Sequence, residues 1–156
     1  MIDRLKAFTL IELVIVIVIV AIIAVIATIA WPGQAINASA QAERLASDIR
    51  YMQNLAMTKH ERYRVNFPSS TQYTLTDDSG VGVTHPSLGS SSVNLESGVT
   101  LSTSGLPNNY VEFESNGRPY TSPSTALSST ATITISTSNS SDTVSIAPQT
   151  GKVSVS

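Results

Sequence analysis

Glu12 is the residue whose type and position carry the most chemical information. It precedes a run from Leu13 to Trp31 that is apolar except for Thr28. A carboxylate at the centre of a membrane-spanning helix costs roughly 2.5–3.5 kcal/mol, so such an acid calls for a partner. Glu12 lies near one end of the run, and taken alone it also fits a solvated charge at the membrane boundary.

Other chemistry finds little support in the residues. The chain has no cysteine, which excludes thiol nucleophiles, disulfides and cysteine-ligated metals. His60 and His85 lie in different segments, and neither a zinc-protease nor a serine-hydrolase motif occurs. The acidic stretch 77–80 could present oxygens to calcium, but a plain acidic turn is the favoured interpretation. We therefore predict no enzyme activity, no cofactor and no metal site.

The composition divides the chain into an apolar amino-terminal segment and a polar carboxyl-terminal head. The 156 residues suit one domain with an appended segment. Hydrophobic residues make up 42%, charged residues only 13%, and the formal net charge is −2. Beyond Pro68 only Arg118 and Lys152 oppose six acidic residues, giving that region a formal charge of −4. This balance argues against broad electrostatic binding of nucleic acid.

Two helical segments are predicted at the amino end. Residues 8–31 as a helix span about 36 Å, enough to cross a hydrocarbon core of roughly 30 Å. The run is rich in β-branched residues, but in lipid the backbone must satisfy its own hydrogen bonds, which favours a helix. After Pro32 and Gly33, apolar residues recur at steps of three and four over 38–56, which predicts an amphipathic helix. The Pro-Gly joint makes the pair one long, kinked rod.

The remainder is predicted as strands. Residues 62–67 and 72–76 form a hairpin, and alternation over 132–135 and 144–146 is typical of antiparallel strands buried on one face. Residues 76–92 and 121–130 are predicted loops. Further strands are expected at 93–95, 99–101, 110–114, 131–137, 142–147 and 152–156. The fold class is therefore α+β, with a small antiparallel sheet laid on the amphipathic half of the rod.

The stretch from Lys6 to Val14, Lys-Ala-Phe-Thr-Leu-Ile-Glu-Leu-Val, resembles the prepilin signal of type IV pilins and type II secretion pseudopilins. The resemblance implies that a membrane peptidase cuts between Ala7 and Phe8 and methylates the new amine of Phe8. Glu12 would then be the retained acid of the mature chain. The family usually has glycine before the cut, whereas this chain has alanine, which is also small.

The charges suggest what Glu12 does. Pairing the positive amine of Phe8 in one subunit with Glu12 of a neighbour relieves two buried charges that are each costly alone. The pair would set axial register in an assembly, and the apolar flanks would supply adhesion. An ordinary secretory signal peptide is the alternative, but the apolar stretch exceeds the usual 7–15 residues and carries an acid.

The head resembles one branch of this superfamily. Residues 45–56, 64–67 and 113–119 are similar to the GspH/FimT minor pseudopilin family. The resemblance implies a leader at 1–7, a transmembrane and assembly helix at 8–31, an amphipathic periplasmic helix at 32–60 and an antiparallel β head at 61–156, sandwich-like as in the pilin fold. It also implies a single-pass protein of the bacterial inner membrane. Its expected partners are other pilin or pseudopilin subunits, prepilin peptidase, the inner-membrane assembly platform and the lipid bilayer.

Two alternatives accompany this interpretation, a DNA-binding minor pilin and a major filament-forming pilin. Some FimT-like proteins bind DNA through a Gly-Arg-x-Arg motif, but at 151–154 this chain has Lys152 and Ser154 in place of the arginines. Arg62 and Arg64 would share a strand face near Lys59. A solvated edge is favoured there over a DNA site, and Arg62, Arg64 and Lys152 are the candidates for a weak DNA contact.

Overall fold

The computed structural model describes residues 9–27, 33–85 and 89–156. The chain divides into two units, Met1–Pro32 and Gly33–Ser156, which are described separately. The predicted kink at Pro32 and the ends of the predicted span 8–31 fall partly outside the described residues.

Helix α1 (Leu10–Ala27) makes up the described part of the first unit. It starts after Thr9, whose carbonyl accepts hydrogen bonds from the backbone N–H groups of Glu12 and Leu13 at 3.1 and 3.2 Å. Across the described ranges, no helix combines the length and the apolar character needed to cross a membrane.

Helix α2 (Gly33–Lys59) opens the second unit and confirms the predicted amphipathic helix. The residues at the predicted spacing form one buried stripe, namely Ala38, Ala42, Leu45, Ile49, Met52 and Ala56. The helix gives way to a turn at His60, which adopts a positive φ of 58°. The apolar stripe, rather than intrinsic propensity, holds a helix of this kind in place.

Ten strands follow α2 in the described residues and form two antiparallel sheets. The first sheet has the order β3-β2-β1-β5-β6-β7, and the second has the order β10-β9-β8-β4. The strands are β1 (Tyr63–Ser69), β2 (Gln72–Asp77), β3 (Ser92–Asn94), β4 (Thr100–Ser104), β5 (Tyr110–Phe113), β6 (Pro119–Ser122), β7 (Thr125–Ala126), β8 (Ala131–Ser136), β9 (Ser141–Ile146) and β10 (Val153–Val155).

The core lies where α2 meets the inner faces of both sheets. The helix contacts β1 and β5 of the first sheet and β8, β9 and β10 of the second. Alternate strand residues supply the buried side chains, such as Val65 and Phe113 from the first sheet and Ile133 and Val144 from the second. This arrangement confirms the predicted α+β class, with a helix packed on antiparallel sheets.

One predicted loop is partly wrong. Strands β6 and β7 include residues 121, 122, 125 and 126 of the segment 121–130, which has few apolar residues and therefore gave no strand pattern. Backbone pairing with β5 holds β6 in place although its side chains show no apolar alternation. Glu112 pairs with Tyr120, and Phe113 with Pro119, across the Asn-Gly turn. Pro119 is tolerated as the first residue of its strand. The other predicted strands appear within one or two residues of their expected ends, except that β4 runs three residues beyond the predicted 99–101.

Candidate functional site

Glu12 is the third residue of α1, and Thr9 precedes the helix. The Oγ1 atom of Thr9 accepts a hydrogen bond from the backbone N–H of Glu12 at 3.3 Å. Thr9 and Glu12 thus have the spacing of a capping box, in which the threonine satisfies one of the free N–H groups of the first turn. The residues around Glu12 therefore have two roles, since Thr9 caps the start of α1 and Glu12 supplies the carboxylate.

The surface around Glu12 is apolar and exposed. Leu10 is 83% exposed and Ile11 68% exposed, and every described side chain from 9 to 21 is exposed. Contiguous apolar surfaces of this kind mark sites of contact with a protein or a membrane. Residues 9–27 contain no basic side chain, so this helix has no cation for Glu12. The predicted cleavage residues Ala7 and Phe8 lie outside the described residues.

Arg62 and Arg64 bind carboxylates of the head, whereas the sequence predicted that both side chains extend into solvent. Arg62 Nη1 lies 2.9 Å from Glu112 Oε1, and Arg62 Nη2 lies 3.0 Å from Glu114 Oε1. Arg64 binds the other oxygen of Glu112 through Nη2 at 2.5 Å and through Nε at 3.0 Å. The two arginines lie on one face, as expected, but they share a buried carboxylate.

Two tyrosine rings complete this cluster. The guanidinium of Arg62 lies 4.7 Å from the ring centroid of Tyr120, and that of Arg64 lies 4.3 Å from the ring centroid of Tyr110. The predicted solvated edge is therefore wrong, because carboxylates and aromatic rings already occupy much of both guanidinium groups. Lys152 is exposed and lies just before β10, in the other sheet.

Contacts within the cluster shift the pKa values of Arg62 and Glu114. Hydrogen bonds from Arg62, then Tyr120, lower the pKa of Glu114 below its ordinary value. Partial burial acts to lower the pKa of Arg62, but hydrogen bonds to Glu112 and Glu114 outweigh it, and the pKa rises. Two arginines and two glutamates give the cluster no formal net charge.

A second polar cluster joins α2 to the first sheet and to the loop after β2. Asp48 on α2 is buried, and the hydroxyl of Tyr73 donates to its Oδ2 at 2.5 Å. His85 Nε2 lies 2.9 Å from the Oδ1 of Asp48, and its ring packs edge-on against Tyr51. Burial, then the hydrogen bond to Asp48, raises the pKa of Tyr73 far above its ordinary value. Sequence reasoning missed this cluster, because its members are distant in the chain and belong to no motif.

Gln53 connects the two sheets. Its Nε2 donates to the carbonyl of Gly117 at 2.8 Å and to the carbonyl of Thr150 at 3.0 Å. These carbonyls belong to the turn before β6 in the first sheet and the turn before β10 in the second. One side chain of α2 thus holds both turns together.

The two turns meet closely at Gly151. A Cβ on Gly151 would lie 2.4 Å from Gln53 Nε2 and 2.7 Å from the Gly117 carbonyl oxygen. Within the described ranges no three His, Asp or Glu side chains gather as a metal site requires. The geometry provides an exposed apolar helix surface with one carboxylate, and a head in which Arg62, Arg64, Glu112 and Glu114 are paired with one another.

Family models account for most of the chain. The model for type II transport protein GspH matches residues 41–150, and that for the prokaryotic N-terminal methylation motif matches residues 4–28. The chain belongs to the GspH family. Membership confirms the resemblance seen in residues 6–14 and in the head, and the methylation motif spans both Phe8 and Glu12. No curated protein sequence matches the chain significantly.

Solved structures share the fold of this GspH-family protein. The minor pseudopilin EpsH from the type 2 secretion system of Vibrio cholerae is 15% identical, with a TM-score of 0.58 over 77% of this chain and 96% of EpsH. The type IV minor pilin FimU of Pseudomonas aeruginosa is 14% identical, with a TM-score of 0.55 over 76% of this chain and 91% of FimU. At these identities the likeness shows the pilin fold.

Proposed function

We propose that this GspH-family protein is a minor subunit of a type II secretion pseudopilus or a type IV pilus. The observation that carries the proposal is Glu12, a single carboxylate on a helix surface whose other described side chains are exposed and almost all apolar. A surface with one acid and no cation fits assembly with neighbours that bring the opposite charge. The GspH match supports a minor rather than a major subunit.

Maturation by prepilin peptidase provides that charge. Cleavage between Ala7 and Phe8 frees an amine at Phe8, which the enzyme methylates, and the amine keeps its positive charge. The amine of one subunit then pairs with Glu12 of another and fixes their axial register. Removal of residues 1–7 also takes away Arg4 and Lys6. The amine of Phe8 is then the only positive charge near the mature amino end.

The environment of the subunit follows from the same surface. Before assembly, the apolar segment 8–31 holds the protein in the inner membrane as a single pass, with lipid covering the side chains that neighbours cover later. The head, 61–156, lies in the periplasm. The inner-membrane assembly platform is the partner that transfers the subunit from lipid to filament.

The DNA-binding alternative gains no support from the head. A phosphate site needs several cations converging on one face. Arg62 and Arg64 form ion pairs with Glu112 and Glu114, and Lys152 lies in the other sheet.

The proposal is tested by comparing Glu12→Gln with Val16→Ala, a control on the same exposed surface. We expect both variants to begin at a methylated Phe8, as read by mass spectrometry of the membrane-extracted protein. Glu12→Gln should enter sheared filaments roughly tenfold less than wild type, since the loss of about 1.4 kcal/mol changes an equilibrium tenfold. Val16→Ala should enter normally. Equal incorporation of Glu12→Gln, or native protein that still begins at Met1, contradicts the proposal.

A further inference from the structure

The outer face of the second sheet consists entirely of hydroxyl side chains. In its four strands, one set of alternate residues faces the core and includes the buried Leu101, Ile133, Ile135, Val144 and Ile146. The other set points away from the core, and each member is exposed or half-buried. This set, called the hydroxyl face below, comprises Thr100, Ser102, Ser104, Thr132, Thr134, Ser136, Ser141, Thr143, Ser145 and Ser154.

The strand register arranges these side chains in rows. Thr134 on β8 lies opposite Ser102 on β4 and opposite Thr143 on β9. The next row places Thr132 between Ser104 and Ser145. Neighbouring strands in a sheet lie about 4.8 Å apart, so these strand residues form a continuous lattice without a charged, amide or aromatic side chain. The exposed Lys152 lies at its margin, two residues before Ser154.

The first sheet shows that this composition is not general to the head. Its outer face carries Arg64 and Glu112, with Tyr110 and Tyr120 beside them. Both sheets pack on α2 by their inner faces, so the burial of the core explains neither outer composition.

Dehydration favours contact through the hydroxyl face. Moving an ionised side chain out of water costs far more than moving a hydroxyl that finds a hydrogen-bond partner. Protein surfaces that stay in water usually mix charges of both signs across about a quarter to a third of their residues. A sheet face without charges therefore costs less to dehydrate than a face that carries ions.

We propose that the hydroxyl face packs against the head of an adjacent filament subunit, on an uncharged polar surface of that neighbour. The inference rests on the proposed function, because it needs a filament that places heads side by side. A charged partner would leave its ions unpaired against hydroxyls, which favours a neutral surface. The face has no aromatic ring on which a sugar could stack, which favours a protein over a glycan.

The test introduces a charge at the centre of the face. Thr134→Lys places an ammonium in the middle row, and Ser102→Lys does so on the edge strand β4, where the fold is less sensitive. The matched control is Thr74→Lys, because Thr74 is also a half-buried threonine on an outer sheet face, but of the first sheet. Circular dichroism and thermal unfolding of the full-length, membrane-extracted chains identify any variant that fails to fold.

We expect Thr134→Lys and Ser102→Lys to enter filaments roughly tenfold less than wild type, since about 1.4 kcal/mol of lost contact energy suffices for that change. Thr74→Lys should enter at nearly the wild-type level. If Ser102→Lys folds and assembles as well as Thr74→Lys, the proposal is overturned. If the wild-type protein itself is absent from filaments, the proposed function fails as well, so the two failures are distinguishable.

Crosslinking identifies the occupant. The natural chain has no cysteine, so Thr134→Cys provides a single thiol in the full-length protein. We expect a thiol-to-amine crosslinker in filament-bearing cells to join residue 134 to a second protein that mass spectrometry shows to have a methylated amino terminus. Thr74→Cys should give much less of that product. Equal products from both thiols overturn the proposal.

Discussion

Arg62 and Glu112 form an ion pair on the outer face of a sheet, with 2.9 Å between Nη1 and Oε1, yet the Glu112 side chain is only 1% exposed. Arg64 binds its second oxygen, so two guanidinium groups take the place of water around one carboxylate. Buried ion pairs seldom add much net stability, because dehydration offsets the attraction. Their loss is costly, however, when one partner is removed alone.

Replacement of Glu112 therefore tests the cluster. We expect Glu112→Gln to lower the free energy of unfolding by about 1–3 kcal/mol, because both arginines lose their shared acceptor while keeping some access to water. The measurement is urea unfolding of the full chain in detergent. Glu96→Gln, at an exposed position, should change the value by less than about 0.5 kcal/mol. Equal effects of the two substitutions would show that the buried carboxylate has no special role.

The Tyr73 hydroxyl gives a second test. Tyr73→Phe leaves the buried Asp48 Oδ2 without its donor, and we expect a loss of about 1–3 kcal/mol in the free energy of unfolding. Tyr110→Phe is the control, since the Tyr110 ring packs on Arg64 and the phenol makes no hydrogen bond among the described residues. A loss for Tyr110→Phe as large as for Tyr73→Phe would count against the Asp48 contact.

Alkaline pH should act through the same tyrosine. Burial and Asp48 raise the pKa of Tyr73 in the folded state, so the folded protein keeps a proton that the unfolded chain releases near pH 10. The stabilisation is complete below about pH 10 and declines as the pH rises further. Urea midpoints between about pH 9 and 11 should fall more steeply for wild type than for Tyr73→Phe. Parallel curves would contradict the assignment.

Acid pH should weaken the head through Glu114. Arg62 and Tyr120 lower its pKa, so the folded state binds fewer protons than the unfolded chain as the pH falls. The contribution is present above the ordinary glutamate pKa of about 4.3 and is lost as the pH falls through the lower folded value. Glu114→Gln should flatten the decline in urea midpoint below about pH 4.5. An unchanged slope would refute this role.

Two glycines with nearly equal φ allow the cost of backbone strain to be measured apart from the cost of steric crowding. Gly151 has φ 65° and Gly89 has φ 63°, so alanine meets a similar backbone cost at both. A Cβ on Gly151 would collide with Gln53 and Gly117, whereas one on Gly89 has no atom within 4 Å. We expect Gly151→Ala to destabilise the protein by about 1–3 kcal/mol more than Gly89→Ala in urea unfolding. Equal losses would indicate that Gln53 moves aside without cost.

The sequence allowed correct prediction where a local period carries the signal. The spacing of Leu45, Ile49 and Met52 predicted α2 and its buried side, and the alternation over 132–135 predicted β8. Segments β6 and β7 were missed because Thr and Ser at their positions show no apolar alternation. Strand β6 forms through pairing with β5, and β7 through pairing with β6, which are contacts that no window of sequence displays.

The site was predictable only in its amino-terminal part. Glu12 is conspicuous because its neighbours are apolar, and a local motif surrounds it. Arg62 and Arg64 were correctly placed on one face, but their partner Glu112 lies about fifty residues later. Only the pairing of Arg64 with Glu112 in adjacent strands brings them together. Charge pairing across a sheet depends on topology, which the residue pattern did not reveal.

The Gln53 amide has a mechanical consequence. It donates a hydrogen bond to one turn of each sheet, while the apolar stripe of α2 packs on both inner faces. We therefore expect tension along α2 to act on both sheets at once. The head should then unfold as a single unit under load.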